Sequence, residues 1–108
     1  MRIMAASSAA TGSATLNVNV ATGAVSGALA LSGVTATAAH IHSGFAGRNG
    51  PVIVGFGEDA STPGTWNLPA NAMLTTAQVD DLLAGGLYLN AHSQDYPGGE
   101  IRGQLTIR

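Results

Sequence analysis

Cysteine is absent from this chain of 108 residues, and so is lysine, because all four basic residues are arginines. Without cysteine there is no disulfide, thiolate metal ligand or thiol nucleophile, which excludes cysteine-rich zinc modules and thiol catalysis. The formal net charge is −2, and no basic cluster is present to neutralise nucleic-acid phosphates. We therefore expect no nucleic-acid partner.

Long apolar runs are also missing. No segment approaches the roughly 18 to 20 apolar residues that cross a bilayer, and the apolar part of the first six residues is too short for an export signal. Apolar residues nevertheless make up 45% of the chain and charged residues only 9%, a composition typical of a packed domain. We expect one domain over residues 1–108, with residues 1–12 as a candidate disordered start and no membrane insertion.

Short strands separated by glycine-rich turns dominate the pattern. Residues 15–20 alternate apolar and polar side chains, which predicts a half-buried strand with Leu16, Val18 and Val20 facing the core. With the segments 24–31 and 34–42, this strand forms three antiparallel strands in sequence in the simplest interpretation. The other predicted strands cover residues 52–56, 87–92 and 101–107.

One helix is predicted over residues 75–86. Thr75 is the expected N-cap, with Gln78 as its capping-box partner and a glycine pair as the stop signal. Its apolar stripe is predicted to consist of Leu74, Val79, Leu82 and Leu83. The fold class is therefore mainly β, a β-sandwich or flattened barrel with one short helix.

The chain has only three histidines, and their positions are informative. Because side chains alternate along a strand, His40 and His42 share one face while Ile41 turns to the core. In the later strand the alternation sends Leu87, Leu89 and Ala91 inward and therefore sends His92 outward. If the two strands lie close together, all three imidazoles meet on the outer face, beneath loops.

Three imidazoles without a thiolate predict a mononuclear metal site at His40, His42 and His92. An all-nitrogen ligand set favours copper, with zinc as the second choice, because Cu(II) binds such ligands most tightly among divalent ions. Asp95 and Glu100 lie after His92, but we assign neither as a ligand.

Catalytic side chains are harder to find. Ser43 and Ser93 each follow a histidine, and neighbouring strand residues point to opposite faces, so neither forms a nucleophile–base pair. Asp80 and Asp81 diverge on the predicted helix and are better explained as a solvated face. We assign no catalytic residue, and whether the protein is an enzyme stays open.

Six segments form a specific pattern, namely residues 39–44, 50–53, 74–75, 82–86, 88–92 and 97–105. In these segments the chain resembles the CHRD family, whose domain was first described in the developmental regulator chordin. The resemblance implies an extracytoplasmic domain, periplasmic or secreted, more firmly than any reaction, and we expect no export signal within the sequence as given.

A fainter resemblance connects the two histidine strands with the copper-binding strands of copper/zinc superoxide dismutase, a Greek-key β-sandwich. It implies that His40, His42 and His92 correspond to three copper ligands. The metal-bridging histidine and the zinc site of that family have no counterpart here, because the chain has no fourth histidine. The resemblance also offers Arg102 or Arg48 as an anion-guiding arginine, although neither lies in a matching motif.

Three functional hypotheses follow. The leading one is a metal-binding β-sandwich that holds one copper ion for copper handling or redox chemistry. The first alternative is a non-enzymatic interaction or structural domain, in which the histidines only form hydrogen bonds and no metal is bound. The second is a redox enzyme similar to superoxide dismutase, which needs an open coordination position for a small substrate. No particular protein partner is predicted.

Overall fold

The computed structural model describes residues 2–7, 10–33, 35–45, 47–94 and 101–105. Strands dominate this part of the chain, and one short helix accompanies them, which confirms the predicted fold class. The elements are β1 Arg2–Ser7, β2 Ala10–Val18, β3 Val25–Ser32, β4 Ala36–Ser43, β5 Val52–Gly55, β6 Gly57–Glu58, β7 Thr65–Asn67, α1 Thr76–Leu83, β8 Leu87–Ser93 and β9 Ile101–Gln104.

The strands form two antiparallel sheets. One has the order β1-β2-β3-β7-β6 and the other the order β5-β4-β8-β9. A single hydrophobic cluster draws buried side chains from both sheets, as in a β-sandwich. Its largest fully buried side chains are aliphatic, so leucine and isoleucine fill the centre of the core in a chain with few aromatic residues. These side chains are Leu16, Leu29, Ile41, Leu87, Leu89 and Leu105.

The third predicted strand lies in a different sheet from the second. Strand β4 does not continue the antiparallel run of β2 and β3, because it pairs with β5 and β8 in the other sheet. The prediction of three sequential strands in one run is therefore wrong at its last step. Alternating hydrophobicity indicates which face of a strand is buried, but it does not specify the neighbouring strand.

Near the start of the chain, strand β1 and the first residues of β2 occupy positions 2–7 and 10–12, within the segment named above as a candidate disordered start. At the other end of β2, Val20 is 57% exposed, so its predicted core position is wrong. The reason is Asn19, whose side-chain oxygen accepts hydrogen bonds from the amides of Ala21 and Thr22. These bonds start a turn at Asn19, so the strand has ended before it reaches Val20.

The helix has both of its predicted signals. The Thr75 side chain accepts from the Gln78 amide, and the Gln78 side chain accepts from the Thr75 amide, which confirms the capping box. After Leu83, Gly85 adopts φ 84° and ends the helix, and the Gly86 amide donates to the Asp81 carbonyl.

The apolar stripe of the helix is narrower than predicted. Leu74, Val79 and Leu82 are buried, whereas Leu83 is 52% exposed. Leu83 follows Leu82 directly, and one residue rotates the side chain by about 100° around the helix axis. Within the described residues, no helix combines the length and the apolar character needed to span a membrane.

Candidate metal centre

The cluster of three histidines results from the pairing of β4 with β8. Residues directly opposite each other in an antiparallel pair share a face, and diagonal neighbours are also within reach of long side chains. The opposite pairs on this face are Ala38 with His92, His40 with Asn90, and His42 with Tyr88. His92 is therefore diagonal to His40, and its direct partner is the small residue Ala38, which leaves space for the His92 ring.

The three imidazoles lie close together. Their ring centroids are 5.1 Å apart for His40 and His92, 5.6 Å for His40 and His42, and 6.1 Å for His42 and His92. One nitrogen of each ring lies within 4.8 Å of the other two. Nitrogens bound to one zinc ion in tetrahedral geometry are roughly 3.4 Å apart, so the three rings would have to move closer together to bind one ion. The predicted convergence is confirmed, and the cluster is compatible with metal binding.

The surroundings of His40 favour its neutral form. The site is partly enclosed, with His42 buried and the other two histidines half-buried. Burial lowers the pKa of His40 below its usual 6.5, and the neighbouring His92 and His42 lower it further through charge repulsion. Neutral imidazole is the form that binds metal, so the lowered pKa of His40 favours the state that ligation requires of this residue.

The orientation of His42 is fixed by a backbone carbonyl. Its Nδ1 lies 3.0 Å from the Gly50 oxygen, and because a carbonyl only accepts, Nδ1 must be the protonated nitrogen. In the neutral ring Nε2 therefore carries the lone pair. This atom is buried and has no hydrogen-bond partner among the described residues, and the same is true of His40 Nδ1. Metal-ligating histidines commonly use this arrangement, with one nitrogen hydrogen-bonded and the other directed at the metal.

Tyr88 contacts one face of the His42 imidazole. Its ring stacks on His42 at 4.9 Å between centroids with an interplanar angle of 6°, and the Arg102 guanidinium lies 3.6 Å from the Tyr88 ring centroid. The Tyr88 hydroxyl also accepts from the Gly50 amide at 3.1 Å. Both backbone groups of Gly50 are thus used to hold the His42–Tyr88 pair.

The connection between β4 and β5, which we call the glycine loop, covers this part of the face. Strand β9 holds it in place, because Arg102 donates to the Asn49 side chain and to the carbonyls of Phe45 and Arg48. Gln104 donates to the Gly44 carbonyl at 2.8 Å. Arg102 therefore has a structural role as the anchor of the loop.

Close approach explains why this loop is rich in glycine. A Cβ atom on Gly50 would overlap the carbonyl oxygen of Ser43, and a Cβ on Gly44 would lie 2.9 Å from the Tyr88 ring. The sequence indicated a loop here, but it did not reveal that the backbone contacts the histidine strand. Gly50, Tyr88 and Asn90 were therefore missed as parts of the site, and Arg102 was considered only as an anion-guiding residue, not as the anchor of the loop. Asp95 and Glu100 lie outside the described residues.

Together, the two sheets and the histidine cluster define a β-sandwich domain compatible with metal binding on its outer face. A comparison with protein families adds the identity of the domain: the CHRD domain model matches residues 3–105, and the chain belongs to this family. Comparisons with curated proteins and with solved structures found no match. The resemblance to copper/zinc superoxide dismutase accordingly stays a prediction.

Proposed function

We propose that this CHRD domain binds one copper ion through His40, His42 and His92 and serves copper handling or redox chemistry outside the cytoplasm. The observation that carries the proposal is the state of His42. Its Nδ1 is hydrogen-bonded to the Gly50 carbonyl, and its Nε2 is buried beside the other two imidazoles without a hydrogen-bond partner within the described ranges.

The alternative of a purely hydrogen-bonding histidine cluster is less favourable physically. A buried polar atom without a partner costs free energy, and His40 Nδ1 and His42 Nε2 are two such atoms in one small cluster. A metal ion would satisfy His42 Nε2, and also His40 Nδ1 in the tautomer whose proton is on Nε2. The lowered pKa of His40 supports the same proposal, because it weakens the competition from protons.

Copper is preferred to zinc on the basis of the donor atoms. All three candidate donors are imidazole nitrogens, and Cu(II) stands above Zn(II) in affinity for such sets. When bound, copper would supply one-electron redox chemistry. The chain's own residues would orient His42, through Gly50 and Tyr88, and lower the pKa of His40. The extracytoplasmic location is proposed from family membership alone.

Metal titration of the tag-free protein tests the proposal. We expect one Cu(II) per chain, a nitrogen-ligation pattern in the electron paramagnetic resonance spectrum, and weaker binding of Zn(II). His40→Ala should abolish stoichiometric binding. Asn17→Ala, an exposed change on the other sheet, serves as the matched control and should bind as the wild type does. Equal, weak binding by the wild type and His40→Ala would rule out the proposal.

A further inference from the structure

Asn90 is a buried polar residue that the three-histidine site does not explain. Its side chain is 8% exposed, and its Oδ1 atom is buried without a hydrogen-bond partner in the part of the chain that the structure describes. It lies in the middle of β8, on the same face as the histidines. Buried amide oxygens normally accept at least one hydrogen bond, so this oxygen indicates a missing donor.

The position of Asn90 places it against the histidine cluster. It is directly opposite His40 on β4, and His92 lies two residues further along β8 on the same face. On its other side it is directly opposite Arg102 of β9. The guanidinium of Arg102 could have supplied a donor, but its hydrogen bonds go to the glycine loop and its plane lies over Tyr88.

The missing donor is therefore best supplied by something bound at the site. Direct bonding of the amide oxygen to copper or zinc is the weaker explanation, because neutral carbonyl oxygens suit magnesium, calcium and manganese better. Three imidazoles leave at least one coordination position of a copper or zinc ion unfilled. A water molecule in that position has protons to donate, and its acidity increases when it is bound to a metal.

We propose that the metal held by the three histidines keeps an exchangeable fourth position, and that the ligand there donates a hydrogen bond to Asn90 Oδ1. This inference rests on the proposed metal site. It assigns a ligand class, namely water and other small oxygen ligands that carry a proton. Asn90 is then a positioning residue, and a small anion without a proton, such as azide, is disfavoured because its lone pairs face the amide oxygen.

The test compares the Cu(II)-loaded wild type with Asn90→Leu, which removes the acceptor at similar volume. We expect the wild type to show exchangeable-proton couplings from a copper-bound water when spectra in H2O and D2O are compared. Asn90→Leu should change these couplings and bind azide about tenfold more tightly, which corresponds to roughly one hydrogen bond. Asn71→Leu makes the same chemical change at an exposed position remote from the site and should match the wild type.

Two results would overturn the inference while leaving the metal site intact. One is a copper-loaded wild type whose exchangeable-proton couplings come only from the imidazole N–H groups and not from a bound water, which indicates a closed site. The other is equal azide affinity in the wild type and Asn90→Leu. Asn90→Ala, measured in parallel, removes the same oxygen without added bulk and should show the same gain if the leucine variant does not fold. Failure of the wild type to bind copper, seen before azide is added, would instead reject the proposed function.

Discussion

At the scale of single residues, Gly50 connects the glycine loop to the metal site. Its carbonyl accepts from His42 Nδ1 and its amide donates to the Tyr88 hydroxyl. There is no space for a side chain, because a Cβ would overlap the Ser43 carbonyl oxygen. The position of one backbone unit therefore determines which nitrogen of His42 is available to a metal.

Replacing Gly50 with alanine should disturb both the fold and the metal site. The new methyl group must push the loop away from β4, which should lower the free energy of unfolding by about 1–3 kcal/mol, as overpacking does. Loss of the carbonyl contact should weaken copper binding by roughly 10- to 100-fold. Chemical denaturation and copper titration measure the two effects.

Gly57→Ala is the matched control, because no atom lies within 4 Å of the Cβ position of Gly57. It should leave unfolding and copper binding unchanged. A Gly50→Ala protein with the stability and copper affinity of the wild type would show that the loop does not orient His42.

At the scale of whole elements, the sequence correctly predicted which face of a strand is buried, but it did not predict which strands pair with each other. Alternation in β4 and β8 correctly separated Ile41 and Leu89 in the core from His40 and His92 on the outer face. Register is different, because it depends on which residues meet across two strands that are distant in sequence. The pairing of Asn90 with His40, and hence the surroundings of the cluster, was therefore not available from one strand's pattern.

The helix was predictable for the opposite reason, since its signals are local. Thr75 and Gln78 are three residues apart and bond to each other, and Gly85 ends the helix through its own backbone conformation. The exposed Leu83 and the turn at Asn19 show the limit of prediction from local patterns. The apolar pattern continues in the sequence to Val20 and Leu83, but the strand ends before Val20, and Leu83 lies on the exposed side of the helix.

Removing the helix cap should affect stability without affecting the metal site. Thr75→Ala leaves the Gln78 amide without its acceptor, and we expect a loss of about 0.5–2 kcal/mol in the free energy of unfolding. Thr76→Ala, one residue further on and exposed, is the control and should change little. Urea denaturation measures both, and a copper affinity that fell in Thr75→Ala would contradict this separation of helix and site.

Strand β9 acts on the site through Arg102. Arg102→Lys keeps the charge but loses the planar fork that contacts three groups of the glycine loop. We expect faster hydrogen exchange at the amides of Ser43 and Gly50, which donate to Pro51 and Tyr88 in the closed loop. Unchanged exchange at these two amides would mean that the loop holds its position without the arginine.

At the scale of the whole molecule, the smaller sheet has two different faces. Ala39 and Ile41 of β4 pack into the core shared by both sheets, while His40 and His42 stand on the other side of the same strand. The rigidity of the sandwich core is thereby transferred to the histidines, because the positions of their backbones are fixed by the buried residues between them. A metal site built on strands is held more accurately than one built on loops.

This arrangement predicts how the stability of the metal-free protein depends on pH. The pKa of His40 is lowered in the folded state, chiefly by burial, from 6.5. Below about pH 6.5 the unfolded chain therefore binds protons that the folded protein resists, and the free energy of unfolding should decrease as the pH falls. Well above that pH, His40 is neutral in both states and does not make the free energy of unfolding depend on pH. Urea denaturation at a series of pH values between about 5 and 8 measures the change.

His40→Gln provides the control for this pH dependence, because it removes the titrating group and should flatten the part of the slope that His40 causes. Copper affinity should fall in the same direction, since protons compete for the imidazoles, but the lowered pKa of His40 shifts the loss to a lower pH than an exposed histidine would give. A metal-free protein that became more stable between about pH 7 and pH 5.5 would contradict the lowered pKa. The cluster would then have to stabilise imidazolium, the form that cannot bind a metal.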